Sequence, residues 1–252
     1  MRVTRFVNLF AFAALATASI LVAPASAATI VLDDFNVNEG RFALAPTFSG
    51  STSGLATTST ADRITTDSFE GEGSQQLIFL DDATAGGTSR VRFLSGGGSA
   101  AGGSGQPANT VITTSAGVDG WIGFALKTTT AGWNVQMWLE GAENNGSFQR
   151  EVIADGQWHV YQWNLDDQTG GVNGWQAAGV PAIVGGDIDV QDGNYTIDSI
   201  LFRHTSMPAT STILMDYVAR NTEGKLVPEP AALAIAGIGL IGLCGVNRRK
   251  NA

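Results

Sequence analysis

Short alternating runs of apolar and polar residues are the feature that most restricts how this chain can fold. Clusters of Gly, Asn, Asp and Ser separate the runs, and outside the termini no stretch keeps a helical period through three turns. The pattern predicts about ten strands, near 29–35, 75–80, 88–94, 109–114, 119–128, 133–140, 147–154, 158–165, 195–203 and 211–219. We therefore expect an all-β protein, a single antiparallel β-sandwich of the jelly-roll type.

The N-terminus has the organisation of a secretory signal peptide. Two arginines within the first five residues precede an apolar run over 6–22, and Ala25-Ser26-Ala27 supplies the small residues that a signal peptidase requires. Residues 1–27 are therefore expected to direct export and to be removed. The alternative is a retained N-terminal anchor.

The C-terminus predicts a membrane segment of marginal length. Residues 231–246 carry no charge, and at about 1.5 Å per residue they would form a helix of about 24 Å, shorter than the ~30 Å hydrocarbon core. We expect a single transmembrane helix over 231–247 and a basic cytoplasmic tail over 248–252. This places the preceding part of the chain outside the cytoplasmic membrane.

The order of Pro228-Glu229-Pro230, an apolar helix and Arg248-Arg249 resembles the PEP-CTERM sorting signal of Gram-negative bacteria. In that family an exosortase, a membrane-embedded cysteine protease-transpeptidase, recognises the tripeptide, and the protein is sorted to the cell surface or the extracellular polymeric matrix. The resemblance implies these roles for Pro228, Glu229, Pro230, Arg248 and Arg249, with an exosortase-type enzyme as partner. It concerns delivery and does not identify the function of the delivered domain.

The expected domain spans 28–222, and a linker over 223–230 connects it to the helix. Two Gly/Ser-rich or Thr/Ser-rich stretches, 49–61 and 95–105, interrupt the domain. Neither is typical of a domain linker, because each side alone has too few strands to close a sandwich. Residues 49–61 are compatible with either a strand or a loop.

The distribution of charge disfavours nucleic acid as a partner. The chain has 14 basic and 23 acidic residues, and five of the basic ones lie at the two ends. The middle therefore holds nine basic residues against 23 acids, a net charge of −14 that repels phosphate backbones. The lone Cys244 permits neither an intrachain disulfide nor a cysteine zinc cluster.

Several segments resemble the galactose-binding-like jelly rolls found in many carbohydrate-binding modules. They are Leu32-Asp33-Asp34-Phe35, the run 155–165, and the run 197–202 leading into 213–218. Such modules often hold a structural calcium ion between the first and last strands. The resemblance therefore implies calcium ligands at Asp33, Asp34 and Asp216.

The strand 133–140 predicts a binding face. Alternation places Trp133, Val135, Met137 and Leu139 on a core face and Asn134, Gln136, Trp138 and Glu140 on the other. An indole beside amides and a carboxylate suits a sugar, because the ring packs on C–H groups while its neighbours bond hydroxyls. The alternative is that a loop or a second layer covers Trp138. In the strand 158–165, by contrast, Trp158 and Trp163 are expected in the core.

Other candidate sites are weaker. Residues 187–198 resemble a calcium loop but depart from the EF-hand pattern, since Asp192 occupies the position of the required glycine and Asp198 that of the bidentate glutamate. A non-EF calcium site or acids on a solvated turn both remain open. Glu140 and Glu151 could face each other across adjacent strands, but no acidic cluster and no Gly-x-Ser-x-Gly motif predicts hydrolysis.

These patterns together predict a non-catalytic exported protein of the cell envelope, cell surface or extracellular matrix. The first hypothesis is a carbohydrate-binding domain that holds the protein to exopolysaccharide. The second is a structural matrix component assisted by calcium. A secreted hydrolase is the weakest of the three.

Overall fold

A computed structural model describes residues 29–96, 110–114, 120–140, 145–167, 173–177 and 193–226. All regular structure in these residues is β, as the alternating pattern predicts. The strands are β1 (Thr29–Asp33), β2 (Thr60–Ile64), β3 (Ser74–Leu80), β4 (Ser89–Leu94), β5 (Thr110–Thr114), β6 (Trp121–Thr128), β7 (Asn134–Glu140), β8 (Asn145–Ser147), β9 (Arg150–Glu151), β10 (His159–Asn164), β11 (Trp175–Ala177), β12 (Gly193–His204) and β13 (Thr210–Asn221).

The strands form two antiparallel sheets. Sheet A has the order β10-β6-β13-β3-β2, with β1 also paired to β13. Sheet B has the order β11-β8-β7-β12-β4, with β5 paired to β12 and β9 to β7. The two 12-residue strands, β12 and β13, are the longest in their sheets. Along one edge, β12 pairs first with β5 and then with β4, and β13 pairs in the same way with β3 and β1.

Aromatic rings join the two sheets into a sandwich. Phe79 of β3 in sheet A lies 5.1 Å from Trp133 and 5.5 Å from Phe202 of β12 in sheet B, measured between ring centroids, and all three side chains are fully buried. Trp133 Nε1 donates to Ser211 Oγ at 2.7 Å, so the indole nitrogen is satisfied inside the core. Both sheets contribute to this single hydrophobic core, which confirms the predicted β-sandwich; its jelly-roll connectivity stays a prediction.

The structure corrects the strand pattern around residue 150. The predicted strand 147–154 is two short strands, β8 and β9, and residues 152–158 are irregular. Alternation persists there, with Val152 buried and Ile153 exposed. The pairing of β9 with β7 ends here: Val152 N donates to the Trp133 carbonyl at 2.8 Å, just outside both strands, and Ile153 N donates to the Tyr161 hydroxyl at 2.8 Å. The strand β2 lies partly in the stretch left open as strand or loop, and β11 was not predicted.

The termini lie largely outside the described residues. Signal peptide 1–27, the Pro-Glu-Pro tripeptide, helix 231–247 and tail 248–252 all fall there. Within the described part of the chain, no helix has the length and apolarity needed to cross a membrane. Contacts with the domain continue to Leu226, whose amide donates to Gln162 Oε1 at 2.7 Å.

Truncating a ring that joins the sheets should lower the stability of the protein more than truncating a surface side chain does. Phe202→Ala is expected to lower the free energy of unfolding by about 3–5 kcal/mol, because it removes a buried ring and leaves a cavity. Val37→Ala is the control, since Val37 is 88% exposed and should change stability by less than about 0.5 kcal/mol. Urea denaturation of both variants measures the difference, and equal stability would contradict the assigned core.

Candidate functional site

The two faces of sheet B have different chemistry. The inner face carries Val135, Met137, Phe93 and Phe202, all fully buried in the core. The outer face carries the alternate residues of the same strands. The inner positions confirm the core face predicted for 133–140, and the outer positions are where a ligand could bind.

Trp138 lies on the outer face against a glycine. It is partly buried and pairs in register with Gly146 of β8 and Ser199 of β12. A methyl group at position 146 would lie 2.9 Å from Trp138 Nε1 and 3.1 Å from Cε2. The indole therefore rests on the backbone of β8, and only glycine permits this close approach. Among the described residues its Nε1 finds no hydrogen-bond partner.

The three polar residues predicted to accompany Trp138 have different environments. Gln136 is 7% exposed, and its Nε2 donates to the Ser147 carbonyl at 2.7 Å, so this amide ties β7 to β8. Asn134 is partly exposed and lies between Glu151 of β9 and Arg203 of β12. Glu140 ends β7, and its side chain lies outside the described part of the structure.

A β-bulge turns Asp198 toward the outer face. Ile197 and Ile200 both lie in the core, and the register between β12 and β7 shifts between them. The two intervening residues, Asp198 and Ser199, consequently both line the outer pocket. Asp198 was predicted to end a calcium loop, but the structure places it within β12; residues 187–192 of that loop lie outside the described residues.

A bidentate ion pair forms beside Trp138. Arg92 of β4 donates through Nε to Asp198 Oδ2 at 3.0 Å and through Nη2 to Oδ1 at 2.5 Å. The Asp198 side chain is 3% exposed and that of Arg92 28%. The Ser199 hydroxyl adds a bond to Asp198 Oδ2 at 2.6 Å. This pairing fixes the guanidinium in one orientation.

The ion pair and Trp138 line one pocket of about 170 Å³. The wall is completed by a loop residue beside β4 and by further strand residues, namely Ser51, Arg90, Leu139, Ser199 and Leu201. The sequence predicted β4 but not its contribution to the pocket. The alternation of Arg90 and Arg92 with buried Val91 and Phe93 is the signal that indicates a charged outer face.

The carboxylates predicted to bind calcium are engaged by backbone amides. Asp33 Oδ2 accepts from Arg41 N at 2.7 Å, and Asp34 Oδ1 accepts from Asn36 N at 3.0 Å. Asp216 accepts from Phe69 N, Glu70 N and Tyr217 N. Within the described residues no group of three or more His, Cys, Asp or Glu is placed to hold a metal ion. As arranged, the three aspartates do not form a ligand set, and the calcium site stays a prediction.

The strand register places the two glutamates considered for hydrolysis, Glu140 and Glu151, far apart. Glu151 pairs with Asn134, six residues from Glu140 along β7, which corresponds to about 20 Å. Paired catalytic carboxylates in glycosidases lie about 5–9.5 Å apart, so these two residues do not form such a pair. His159 contacts Asp155, whereas His204 ends β12 and its Nε2 lies 2.8 Å from the Ala131 carbonyl.

Sheet A has its own aromatic cluster on its outer face. Phe69 packs against Tyr217 and Trp158, with ring centroids 5.4 and 6.1 Å away. Trp158 Nε1 donates to Asp67 Oδ1 at 3.0 Å. Trp163 is in the main core as predicted, but Trp158 belongs to this second cluster. These rings pack against one another, whereas Trp138 lines a pocket.

The buried carboxyl of Asp216 should make stability depend on pH. Burial raises its pKa to about 6, although hydrogen bonds from Glu70, Phe69 and Tyr217 oppose the shift. The folded state therefore binds more protons than the unfolded state between about pH 4 and 6, and the free energy of unfolding falls by roughly 3 kcal/mol as the pH rises through that window.

Asp216→Asn is expected to remove most of this fall, whatever its effect on stability at a single pH. Denaturation of the wild type and the variant at pH 4, 5, 6 and 7 measures the slope. Asp62→Asn is the control, because Asp62 is exposed in β2. A slope that Asp216→Asn leaves unchanged would contradict the assignment to this carboxyl.

Comparisons with known proteins give one sequence match and three distant structural similarities. No curated protein matches the chain. A structure of carbohydrate-binding modules from the β-sandwich superfamily has a TM-score of 0.40 at 10% identity, covering 77% of this chain and 62% of that one. The family 11 carbohydrate-binding module of a cellulosomal cellulase of Clostridium thermocellum has a TM-score of 0.39 at 11% identity, covering 80% of this chain and 98% of that one. The CBM22-1 xylan-binding domain from Paenibacillus barcinonensis has a TM-score of 0.30 at 14% identity, covering 80% and 100%.

Similarity to solved structures at this level identifies no ligand for this chain. The sequence match is local and lies at the C-terminal end. Residues 226–250 match the PEP-CTERM protein-sorting motif, as the order of Pro-Glu-Pro, apolar run and arginines predicts. The chain therefore carries a PEP-CTERM sorting motif, which implies export and association with the cell envelope.

Proposed function

We propose that this chain is an exosortase-sorted protein of the cell surface or extracellular matrix whose β-sandwich binds carbohydrate without catalysing a reaction. The sorting motif at 226–250 supports the delivery. One observation carries the binding role: the outer face of sheet B places Trp138 in the same pocket as the bidentate Arg92–Asp198 pair.

The pocket offers the two kinds of contact that a sugar requires. The indole of Trp138 is an apolar surface for C–H groups. Arg92 uses two of its five N–H donors on Asp198, and its other donors bond none of the described residues. The exposed Ser51 also lines the pocket and can contribute its hydroxyl group. Because Trp138, Arg92 and Asp198 stand on paired strands, their arrangement is fixed before a ligand arrives, which lowers the entropy cost of binding.

The same pocket does not supply a hydrolytic pair. Asp198 is the only carboxylate among the described residues that line it, and both of its oxygens accept bonds from Arg92. A general acid or a nucleophile needs a carboxyl that can exchange a proton or attack a substrate. This arrangement supports binding rather than catalysis.

Leu226, the last residue that the structure describes, lies on the side opposite the pocket. Leu226 packs with Ala125, Tyr217 and Ala219 on the outer face of sheet A. The sorting motif begins at this residue, whereas the pocket lies on the outer face of sheet B. A domain held through its C-terminal end would therefore keep the carbohydrate-binding face accessible.

Removing the Trp138 ring should weaken binding to polysaccharide. Trp138→Ala in the full chain is expected to reduce affinity for exopolysaccharide purified from the producing cells by about tenfold or more, because an aromatic platform is lost. Trp158→Ala is the matched control, since that indole lies on the outer face of sheet A. Affinity electrophoresis measures both variants, and equal retention of the wild type and Trp138→Ala would contradict the assignment.

A second variant tests the position of the ring without removing it. Gly146→Ala should displace the indole, because the added methyl would lie 2.9 Å from Nε1. We expect weaker polysaccharide binding together with a shift in tryptophan fluorescence. Gly50→Ala is the control, because a methyl group there meets no atom within 4 Å. Unchanged binding by Gly146→Ala would show that the position of the Trp138 indole against β8 does not affect polysaccharide binding.

A structural matrix role assisted by calcium is the second candidate function. The observation that favours it is electrostatic: burial raises the pKa of both Asp33 and Asp216, and the charge of Asp34 raises both further. A bound cation would relieve this repulsion. Calcium should then raise the melting temperature and promote assembly, and Asp34→Asn should weaken both effects. Unchanged melting and sedimentation with calcium would exclude the role.

A further inference from the structure

We propose that the ligand of the sheet B face is an acidic polysaccharide that carries carboxylate groups, such as a polyuronate, rather than a neutral glycan. The inference rests on the proposed carbohydrate-binding function and names the class of ligand. Three arginines on the outer face of two neighbouring strands carry it, namely Arg90 and Arg92 of β4 and Arg203 of β12.

Two of these arginines stand directly opposite each other. Arg90 and Arg203 are paired in the register of β4 and β12, which places their Cβ atoms about 5 Å apart on the same face. Both side chains are exposed, and neither forms an ion pair with a described residue. Partial burial and then the charge of Arg90 lower the pKa of Arg203. Like charges in this position destabilise a sheet, and an anion between them would reverse that effect.

This uncompensated pair contrasts with basic residues on sheet A. Lys127 pairs with Asp67 at 2.7 Å, and Arg63 donates to the carbonyls of Phe35 and Asn36. On the sheet B face, Asp198 is already bound to Arg92, and Glu151 lies beyond Asn134 at the far side of β7. A chain with a net charge of −9 thus places two exposed cations together, and no acidic side chain of the described residues forms an ion pair with either.

The arginine pair and Trp138 are separated along the strands. Trp138 pairs with Ser199, and Arg203 lies four residues further along β12, a distance of about 13 Å. Arg92 lies between the two points, opposite Leu201. An extended ligand can therefore place one ring on Trp138 and a carboxylate at the arginine pair. Guanidinium groups bind carboxylates through two parallel hydrogen bonds, which a neutral sugar does not accept.

A nucleic acid fits this face less well than a polyuronate. Proteins that track a phosphate backbone typically neutralise several phosphates with separate cations. The face offers three arginines, and one of them is engaged by Asp198. The acidic remainder of the chain also opposes a densely charged duplex. A polysaccharide that carries carboxylates can contact both parts of the site, because a sugar ring packs on Trp138 and a carboxylate binds the arginine pair.

The test compares one polymer with and without its carboxylates. Polygalacturonate and its carboxyl-reduced neutral form share a backbone, and affinity electrophoresis of the full chain measures binding to each. We expect at least tenfold tighter binding to the acidic form, and a salt-dependent affinity for that form alone. Arg90→Ala and Arg203→Ala should each weaken binding to the acidic form by about tenfold without lowering the melting temperature.

Two controls separate charge from fold. Lys225→Ala removes a cation beside Trp121, on β6 of sheet A, and should leave the acidic preference unchanged. Arg203→Lys keeps the charge but loses the bidentate geometry, so its binding to the acidic form should lie between that of the wild type and that of Arg203→Ala. If Lys225→Ala weakened binding as much as Arg203→Ala, net charge rather than this face would determine the affinity, and the inference would be overturned.

The remaining outcomes decide between the two proposals. Equal binding of both polymers, or preference for the neutral form, would leave a carbohydrate-binding protein and overturn the acidic ligand. Binding to neither polymer nor to the native exopolysaccharide would overturn the proposed function as well. Duplex DNA bound as tightly as polygalacturonate, with the same loss in Arg90→Ala, would show a general anion site instead.

Discussion

The contact of Phe79 with Trp133 and Phe202 holds the two sheets together, and the rest of the structure depends on it. The three rings come from both layers and are fully buried, with edge or tilted contacts of 5.1–6.3 Å between centroids. Such contacts exclude water and fix the spacing of the sheets. The strands that supply these rings therefore keep one apolar face inward, with Gln75 of β3 as a buried polar exception that donates to the Phe42 carbonyl.

The strand β12 shows how this constraint creates the site. Its inner residues Ile197, Ile200 and Phe202 must all reach the core, but two residues, an even number, lie between the first two. A regular strand cannot meet that demand, so the chain bulges and both intervening residues face outward. Asp198 is thus presented to Arg92 beside Trp138, and a packing requirement in the core produces a charged pocket on the surface.

Much of the fold was predictable because period-two alternation is a local property. The strand 133–140 was predicted within one residue of β7, with its core face correct. The errors occur where pairing is not local. Val152 and Ile153 alternate like strand residues, yet the pairing with β7 ends before them and both lie outside the strands. Trp138 was identified as a candidate contact, but Gln136 beside it bonds β8, a relation that only the register reveals. The arginines that complete the pocket come from β4, more than 40 residues earlier in the chain.

The sequence by itself determined the β class, the inward-facing residues of the main strands and the sorting motif at 226–250, because each depends only on residues that are close together in the chain. Only the tertiary structure decided two features of the site. Asp198, which belongs to a sequence that resembles a calcium loop, forms an ion pair with Arg92, and Arg90 stands opposite Arg203. The physical reason is that strand register and bulges arise when distant segments compete to bury their apolar faces, and alternation within one segment does not encode which partner it will meet.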